Sequence, residues 1–272
     1  MVMSDVKTGA KMYVLRLGSI TCDTNALVAF DTRATALDPE PKCKFEPFPI
    51  WGLYIEHPDG KIIFDTGFRE DCLTGGEGPT VPINVPITLG EDEYMEKQLA
   101  LCGVTPEEID YVVISHLHHD HAGKIGIFKN AKVIVQRKEM EAALMFTHTV
   151  NPKGVYLKAD LEVDADWTLI DGDYDLLPGV RLLSVPGHAE GLQCMQLELD
   201  QMGTVLLTSD ACYTDLNWGP PERPAGALLD SKAYFASLKK LKKIAAETNA
   251  TVIFGHDIKQ FNTLKKAPEY YE

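Results

Sequence analysis

Short runs of β-branched and aliphatic residues recur along the chain, and a polar residue cuts each of them off. Tyr111-Val112-Val113-Ile114 stops at Ser115-His116, and Val180 to Val185 stops at Pro186-Gly187-His188. Thr204 to Ser209 stops at Asp210, and Thr251 to Phe254 stops at Gly255-His256-Asp257. Near-continuous apolar runs of this length predict strands buried on both faces. A polar residue where such a strand leaves its sheet stands on the rim of a rigid scaffold, where reactive sites are built. Two more strands are predicted at Met12 to Leu17 and Trp51 to Glu56. The turn His57-Pro58-Asp59-Gly60 then returns the chain through Lys61 to Phe64 as a hairpin tipped by Asp65-Thr66-Gly67.

Helical spacing replaces this pattern in three places. Asp92 to Cys102 ends at the stop signal Gly103, and a second helix is predicted over Arg137 to Phe146. A third starts near Asp230, with Tyr234, Leu238, Leu241 and Ala245 on one face and Lys239, Lys240, Lys242 and Lys243 on a solvated face. Strands in clusters broken by helices predict sheets with helices packed outside them. Asp31 to Pro49 and Phe68 to Gly90 have no regular pattern, and loops that long are usually functional or disordered.

Composition narrows the function. The 272 residues suit one large domain or two ordinary ones, and 45% hydrophobic with 24% charged excludes a disordered chain. A net charge of −14 argues against a nucleic-acid partner, which needs cations to neutralise phosphates. No apolar run is long enough for a transmembrane helix, and Met1 to Met12 lacks the apolar stretch of a secretory signal. The six cysteines are scattered without a CxxC pair, which suits reduced thiols and a cytoplasmic protein.

The chemistry concentrates in His116-Leu117-His118-His119-Asp120-His121. Imidazoles and carboxylates suit zinc, iron, cobalt or manganese as divalent ions. In extended backbone His116 and His118 project the same way, while Asp120 and His121 follow at the turn and can face a second point. The other strand tips supply the rest: His116, His118 and His188 for one ion, Asp120, His121 and His256 for another, and Asp210 as a bridge. Such sets leave positions open for water or substrate, as catalytic sites do. Two dications against two carboxylates and a hydroxide also leave the site positive, able to stabilise an oxyanion.

The run Ser115 to Gly123, SHLHHDHAG, resembles the HxHxDH signature of the metallo-β-lactamase superfamily, and Pro186-Gly187-His188, Ser209-Asp210-Ala211 and Phe254-Gly255-His256-Asp257 match its later motifs in order. More narrowly, the chain resembles the quorum-quenching N-acyl-homoserine lactone lactonases. These carry a tyrosine three residues after the bridging aspartate, matched by Tyr213, and an Asp-Thr-Gly strand end, matched by Asp65-Thr66-Gly67. The resemblance runs from about Met12 to Tyr271. It implies one hydrolase domain over residues 1–272, built as an αββα sandwich of two mixed sheets flanked by helices. It also implies two metal ions, most often zinc, and hydrolytic opening of a lactone ring by a metal-bridging hydroxide. In that reading Tyr213 holds or polarises the carbonyl and Asp120 handles the proton. Zinc lowers the pKa of bound water from about 15.7 to about 7, so hydroxide forms at neutral pH. Asp65 and Asp257 are candidates to orient ligating imidazoles.

The expected partner is a small lactone, with neither nucleic acid nor membrane involved. The loop Asp31 to Pro49 resembles a region that packs across a dimer in related lactonases, so a homodimer is expected. His119 departs from the aromatic residue that some lactonases place in the pocket. His57 and His148 are expected at the surface, and Leu144, Met145 and Phe146 in core packing. Rival readings that share the metal centre are a lactonase for another ring, such as 4-pyridoxolactone, and a general esterase or thioesterase. A zinc β-lactamase has cysteine where Asp210 stands, and glyoxalase II is expected to carry a longer helical extension after the GHD motif.

Overall fold

Alternate residues of single strands face different cores in the computed structural model, which describes residues 7–73, 85–149 and 155–272. In β1 (Lys11–Asp23), Met12 and Val14 point to one buried cluster while Tyr13, Leu15 and Leu17 point to another. In β11 (Gly203–Leu207), Val205 and Leu207 join the cluster of Met12, whereas Leu206 faces away from it. Strands with both faces covered need apolar residues at successive positions, which is the pattern the sequence carries.

Among the described residues one sheet runs in the order β4-β1-β2-β3-β5-β6-β7, and a second in the order β12-β11-β10-β9-β8. Their remaining members are β2 (Phe45–His57), β3 (Gly60–Phe64), β4 (Ile87–Thr88), β5 (Tyr111–Val113), β6 (Lys132–Gln136), β7 (Asp166–Ile170), β8 (Tyr174–Leu177), β9 (Val180–Ser184), β10 (Gln193–Leu199) and β12 (Thr251–Ile253). Met12, Leu53, Ile62 and Val113 of the first sheet meet Leu182, Met195, Val205 and Ile253 of the second between the layers. Helices Met95–Leu101 and Arg137–Thr149 cover the outer face of the first sheet through Met95, Leu99, Met140 and Ala143. Helix Ser231–Thr248 covers the second, laying Leu241 and Ile244 on Leu183, Val185 and Leu206. Asp230 caps that helix by accepting the N–H groups of Lys232 and Ala233. The two mixed sheets flanked by helices are the expected αββα sandwich.

Strand direction places the chemistry. β3, β5 and β6 are mutually parallel, so Asp65 and Ser115-His116 emerge at the same edge of the first sheet. β9 and β11 both run antiparallel to β10, and β12 runs parallel to β11. The segments that follow them, carrying His188, Asp210 and His256, therefore leave the second sheet at one edge too.

Several expectations need correction. The strand at Met12 reaches Asp23, and β2 begins at Phe45, so the end of the 31–49 segment is a strand paired with β1. Pro47 and Pro49 are tolerated there because β3 pairs β2 only from Leu53 onward, leaving that stretch at an edge. In the 68–90 segment, Glu70–Leu73 forms a 3-10 turn and Ile87–Thr88 pairs with β1, while 74–84 lies outside the described residues. Leu144 and Met145 are exposed rather than packed, whereas Phe146 is half-buried against Tyr156. His57 is buried, not at the surface: its Nε2–H donates to Pro178 O at 3.0 Å and its Nδ1 accepts the N–H of Asp59. His148 is exposed, as expected.

Candidate metal centre

The hexapeptide changes conformation midway. His118 is extended and serves as the N-cap of a one-turn helix, His119–Ala122, so His116 and His118 point one way and Asp120 and His121 another. Asp65 and Ser209 flank it in left-handed backbone, with φ of 60° and 44°. Such strain, about 1–3 kcal/mol per residue, persists where the surroundings over-determine it.

Here they do. Asp65 Oδ1 accepts the N–H of Ser115 at 2.7 Å. Asp65 Oδ2 accepts the hydroxyl of Ser115 and the Nδ1–H of His121, both at 2.8 Å. Ser209 donates its hydroxyl to Ser115 Oγ at 2.9 Å. Glycine at 255 lets the β12 tip close in, because a Cβ there would lie 2.5 Å from Ser209 O.

Four of the five candidate imidazole ligands, all but His118, thereby have one nitrogen spoken for. His116 Nδ1 lies 3.0 Å from Ser115 Oγ, His188 Nδ1 lies 2.9 Å from Ala227 O, and His256 Nδ1 lies 2.9 Å from Pro49 O. Oxygen acceptors at those positions fix the proton there and turn a bare lone pair inward from the opposite Nε2. His116 Nε2, His118 Nδ1 and His188 Nε2 stand 2.9, 3.0 and 3.2 Å from one another. Three lone pairs cannot all hydrogen-bond each other, so this geometry makes sense only around a cation. An ion with bonds of about 2.0–2.1 Å sets tetrahedral donors about 3.3 Å apart, close to what is seen.

Asp210 faces both ways. Its Oδ2 is 3.3 Å from His188 Nε2 and 3.6 Å from His116 Nε2. Its Oδ1 is 3.1 Å from His256 Nε2 and 3.4 Å from His121 Nε2. Asp120 Oδ2 completes the second group at 3.6 Å from His121 Nε2 and 3.9 Å from His256 Nε2. His121 Nε2 and Asp210 Oδ1 are buried without a hydrogen-bond partner. Buried polar atoms are normally satisfied, so orphans aimed at one point mark a place for a ligand. The donors thus form two adjoining sets, His116-His118-His188 and Asp120-His121-His256, with one oxygen of Asp210 facing each.

Electrostatics separates the two sets. Burial resists a charge on His121 and His256, yet Asp120 and Asp210 push His121 well above, and His256 above, the usual histidine range. His116 and His118 shift the other way. Burial, then the neighbouring imidazoles, pushes His116 and His118 well below the usual histidine range, which keeps them neutral donors. Burial opposes the charge on Asp210, but His121 and His256 outweigh it and hold the carboxyl well below its usual range. Asp120 is likewise resisted by burial yet held down at about 2 by His121 and His119. Tyr213 is buried, with its hydroxyl 3.0 Å from His188 Nδ1. Because that nitrogen already donates to Ala227 O, the phenol oxygen meets it as an acceptor and its own proton stays available.

All seven candidate ligands and Tyr213 therefore converge. Asp65 stands where the expected orienting role needs it, with its Oδ2 on His121 Nδ1. Asp257 does not: it caps helix Ile258–Thr263 by accepting the N–H groups of Lys259 and Gln260, and it also takes that of Asp215. His119 is buried with Nδ1 near Val155 O and Nε2 unpartnered, outside both donor sets. Ser209, Tyr156 and Glu139 were not singled out from the sequence. Glu139 is fully buried and accepts the N–H groups of Leu117 and Gly191 and the hydroxyl of Tyr156.

Comparison with known proteins follows the same line. A family model described as the metallo-beta-lactamase superfamily matches residues 46–256. The chain is 34% identical to N-acyl homoserine lactonase AiiB of Agrobacterium fabrum, over 97% of this chain and 100% of that one. It is also 34% identical to N-acyl homoserine lactonase AiiA of Bacillus thuringiensis subsp. kurstaki, over 97% and 99%. A solved N-acyl homoserine lactone hydrolase, with N-hexanoyl-L-homoserine bound at its catalytic metal centre, superposes with a TM-score of 0.84 at 33% identity, covering 97% of this chain and 100% of that one.

Proposed function

The chain belongs to the metallo-β-lactamase superfamily, and on that premise we propose that it is a metal-dependent lactonase that opens the ring of N-acyl homoserine lactones. The observation that carries this reading is the pair of adjoining donor sets joined by Asp210, with the Tyr213 hydroxyl beside them. His116, His118 and His188 would hold one divalent ion and Asp120, His121 and His256 the other, with Asp210 between. Zinc is the proposed metal, with iron, cobalt or manganese as substitutes that the same donors accept. Two such ions would supply Lewis acidity and acidify water near neutral pH.

The protein's own groups do the rest. Tyr213, kept protonated by burial and by Asp210 and Asp120, donates a hydrogen bond to the lactone carbonyl as charge develops on its oxygen. Asp120 is the more open of the two aspartates, its side chain 12% exposed against 4% for Asp210. Held ionised, it takes the proton that the attacking water gives up as its oxygen bonds to the carbonyl carbon, and returns it to the alkoxide oxygen released when the ring C–O bond breaks. Asp65 keeps His121 in one tautomer throughout.

A single domain over 1–272, a cytoplasmic location and a homodimer complete the proposal. Phe30, Leu37 and Phe45 stand exposed in and beside the 31–49 segment, which supports a self-associating surface there. The purified protein, loaded with zinc, should release acid from homoserine lactones in a panel that includes aromatic lactones and thioesters. Turnover of the latter two with homoserine lactones untouched would overturn the substrate assignment.

A further inference from the structure

We propose that Glu139 is a positioning residue for the first donor set: its carboxylate ties the loop of His116 and His118 to the loop of His188 and so fixes the spacing of their three nitrogens. Glu139 lies in the first turn of helix Arg137–Thr149 and is wholly buried. Its Oε1 accepts the N–H of Leu117, the residue between His116 and His118, at 2.9 Å. Its Oε2 accepts the N–H of Gly191, three residues beyond His188, also at 2.9 Å. The third donor, the Tyr156 hydroxyl at 3.0 Å from Oε1, belongs to a ring that stands edge-on to His118 with centroids 4.8 Å apart.

Two further observations separate this from ordinary helix packing. A Cβ at Gly191 would lie 2.4 Å from the Glu139 N and 2.5 Å from its Cβ, so the His188 loop is pressed directly onto the start of the helix. In addition, the three hydrogen bonds that this buried carboxylate accepts all come from neutral donors, the Leu117 and Gly191 N–H groups and the Tyr156 hydroxyl, although burying a charge is costly. The first donor set has three imidazoles and only a share of Asp210, whereas the second also has Asp120. A carboxylate one layer behind the poorer set would complement a dication bound there.

The inference rests on the proposed metal centre, and wild-type protein that bound no divalent ion would sink that reading before any variant is compared. Protein stripped of metal is titrated with cobalt against a chromophoric chelator to give two stepwise dissociation constants. Glu139→Gln turns an NH2 group towards one backbone N–H and removes the charge. One constant should weaken at least about tenfold while the other stays within about twofold. Glu139→Asp keeps the charge on a shorter arm and should fall between, and it decides the matter if Glu139→Gln does not fold. In a His256→Ala background Glu139→Gln should weaken the remaining ion, and in a His118→Ala background it should not. Unchanged constants, or equal weakening of both, would overturn the proposal, the second outcome pointing to a merely structural carboxylate.

Discussion

Replacing Asp65 by Asn tests whether imidazole orientation governs the site. The backbone tolerates it, since φ is 60° and Asn adopts left-handed conformations readily. The hydrogen bonding does not. If the amide oxygen keeps the Ser115 N–H at 2.7 Å, the NH2 group takes the place of Oδ2 and faces His121 Nδ1. That nitrogen must then accept, its proton moves to Nε2, and the lone pair facing Asp210 Oδ1 is lost. If the amide flips, NH2 faces the Ser115 N–H and two buried donors oppose each other. Losing an orienting partner of this kind costs about 10- to 100-fold in metal affinity, or about 1.4–2.7 kcal/mol. Stepwise cobalt titration against a chelator reads this directly, and the weakened constant should be that of the Asp120-His121-His256 set. A folded Asp65→Asn protein with both constants within about twofold of wild type would refute the tautomer argument.

Asp210→Asn should lower bound metal towards one ion per chain and turnover at least about 100-fold, and two retained ions with near-normal turnover would remove Asp210 as the bridge. Tyr213→Phe should cut turnover about 100-fold while leaving metal content unchanged, and loss of an ion would show the phenol to be structural. Asp160 makes a pH prediction away from the centre. Burial outweighs Arg69 beside it and pushes its carboxyl up to about 7, against an ordinary value of 3.8. The folded chain keeps that proton between the two values while the unfolded chain releases it, so stability falls as pH rises through this window. Asp160→Asn should therefore gain thermal stability relative to wild type on going from pH 5 to pH 8. A constant difference across that range would refute the shift.

Much of the site was legible because its donors lie at the ends of apolar runs. Ser115-His116, His188, Asp210 and His256 each follow a strand that the residue pattern marks, and within each sheet the shared direction of these strands, with β9 and β11 both antiparallel to β10, brings the tips to one edge. β10 carries no such pattern, because Gln193, Gln196 and Glu198 interrupt its apolar residues, yet all three are buried. Their polar atoms are matched inside, Gln193 Nε2 donating to Ile114 O and Glu198 accepting from Gln196 and Thr204. Asp257 misled for a local reason: an acid next to a ligand is as well placed to cap the following helix. Glu139 gave no signal, since two of its three partners are backbone N–H groups 22 and 52 residues away, and backbone donors leave no trace in residue identity.

The edge at which the seven donors meet has a mechanical consequence. Four of them hang from the layer that contains β5 and three from the layer that contains β11, so ions seated between would rivet the two halves of the sandwich. At the far edge the layers are already stitched without metal, by the Met12 bridge to Tyr271 and by the Gln201 and Met202 N–H groups on Glu272 O. Chelation should accordingly let the structure gape from one side only, with amide exchange quickening around His116, His188 and His256 while the strands near Met12 stay protected.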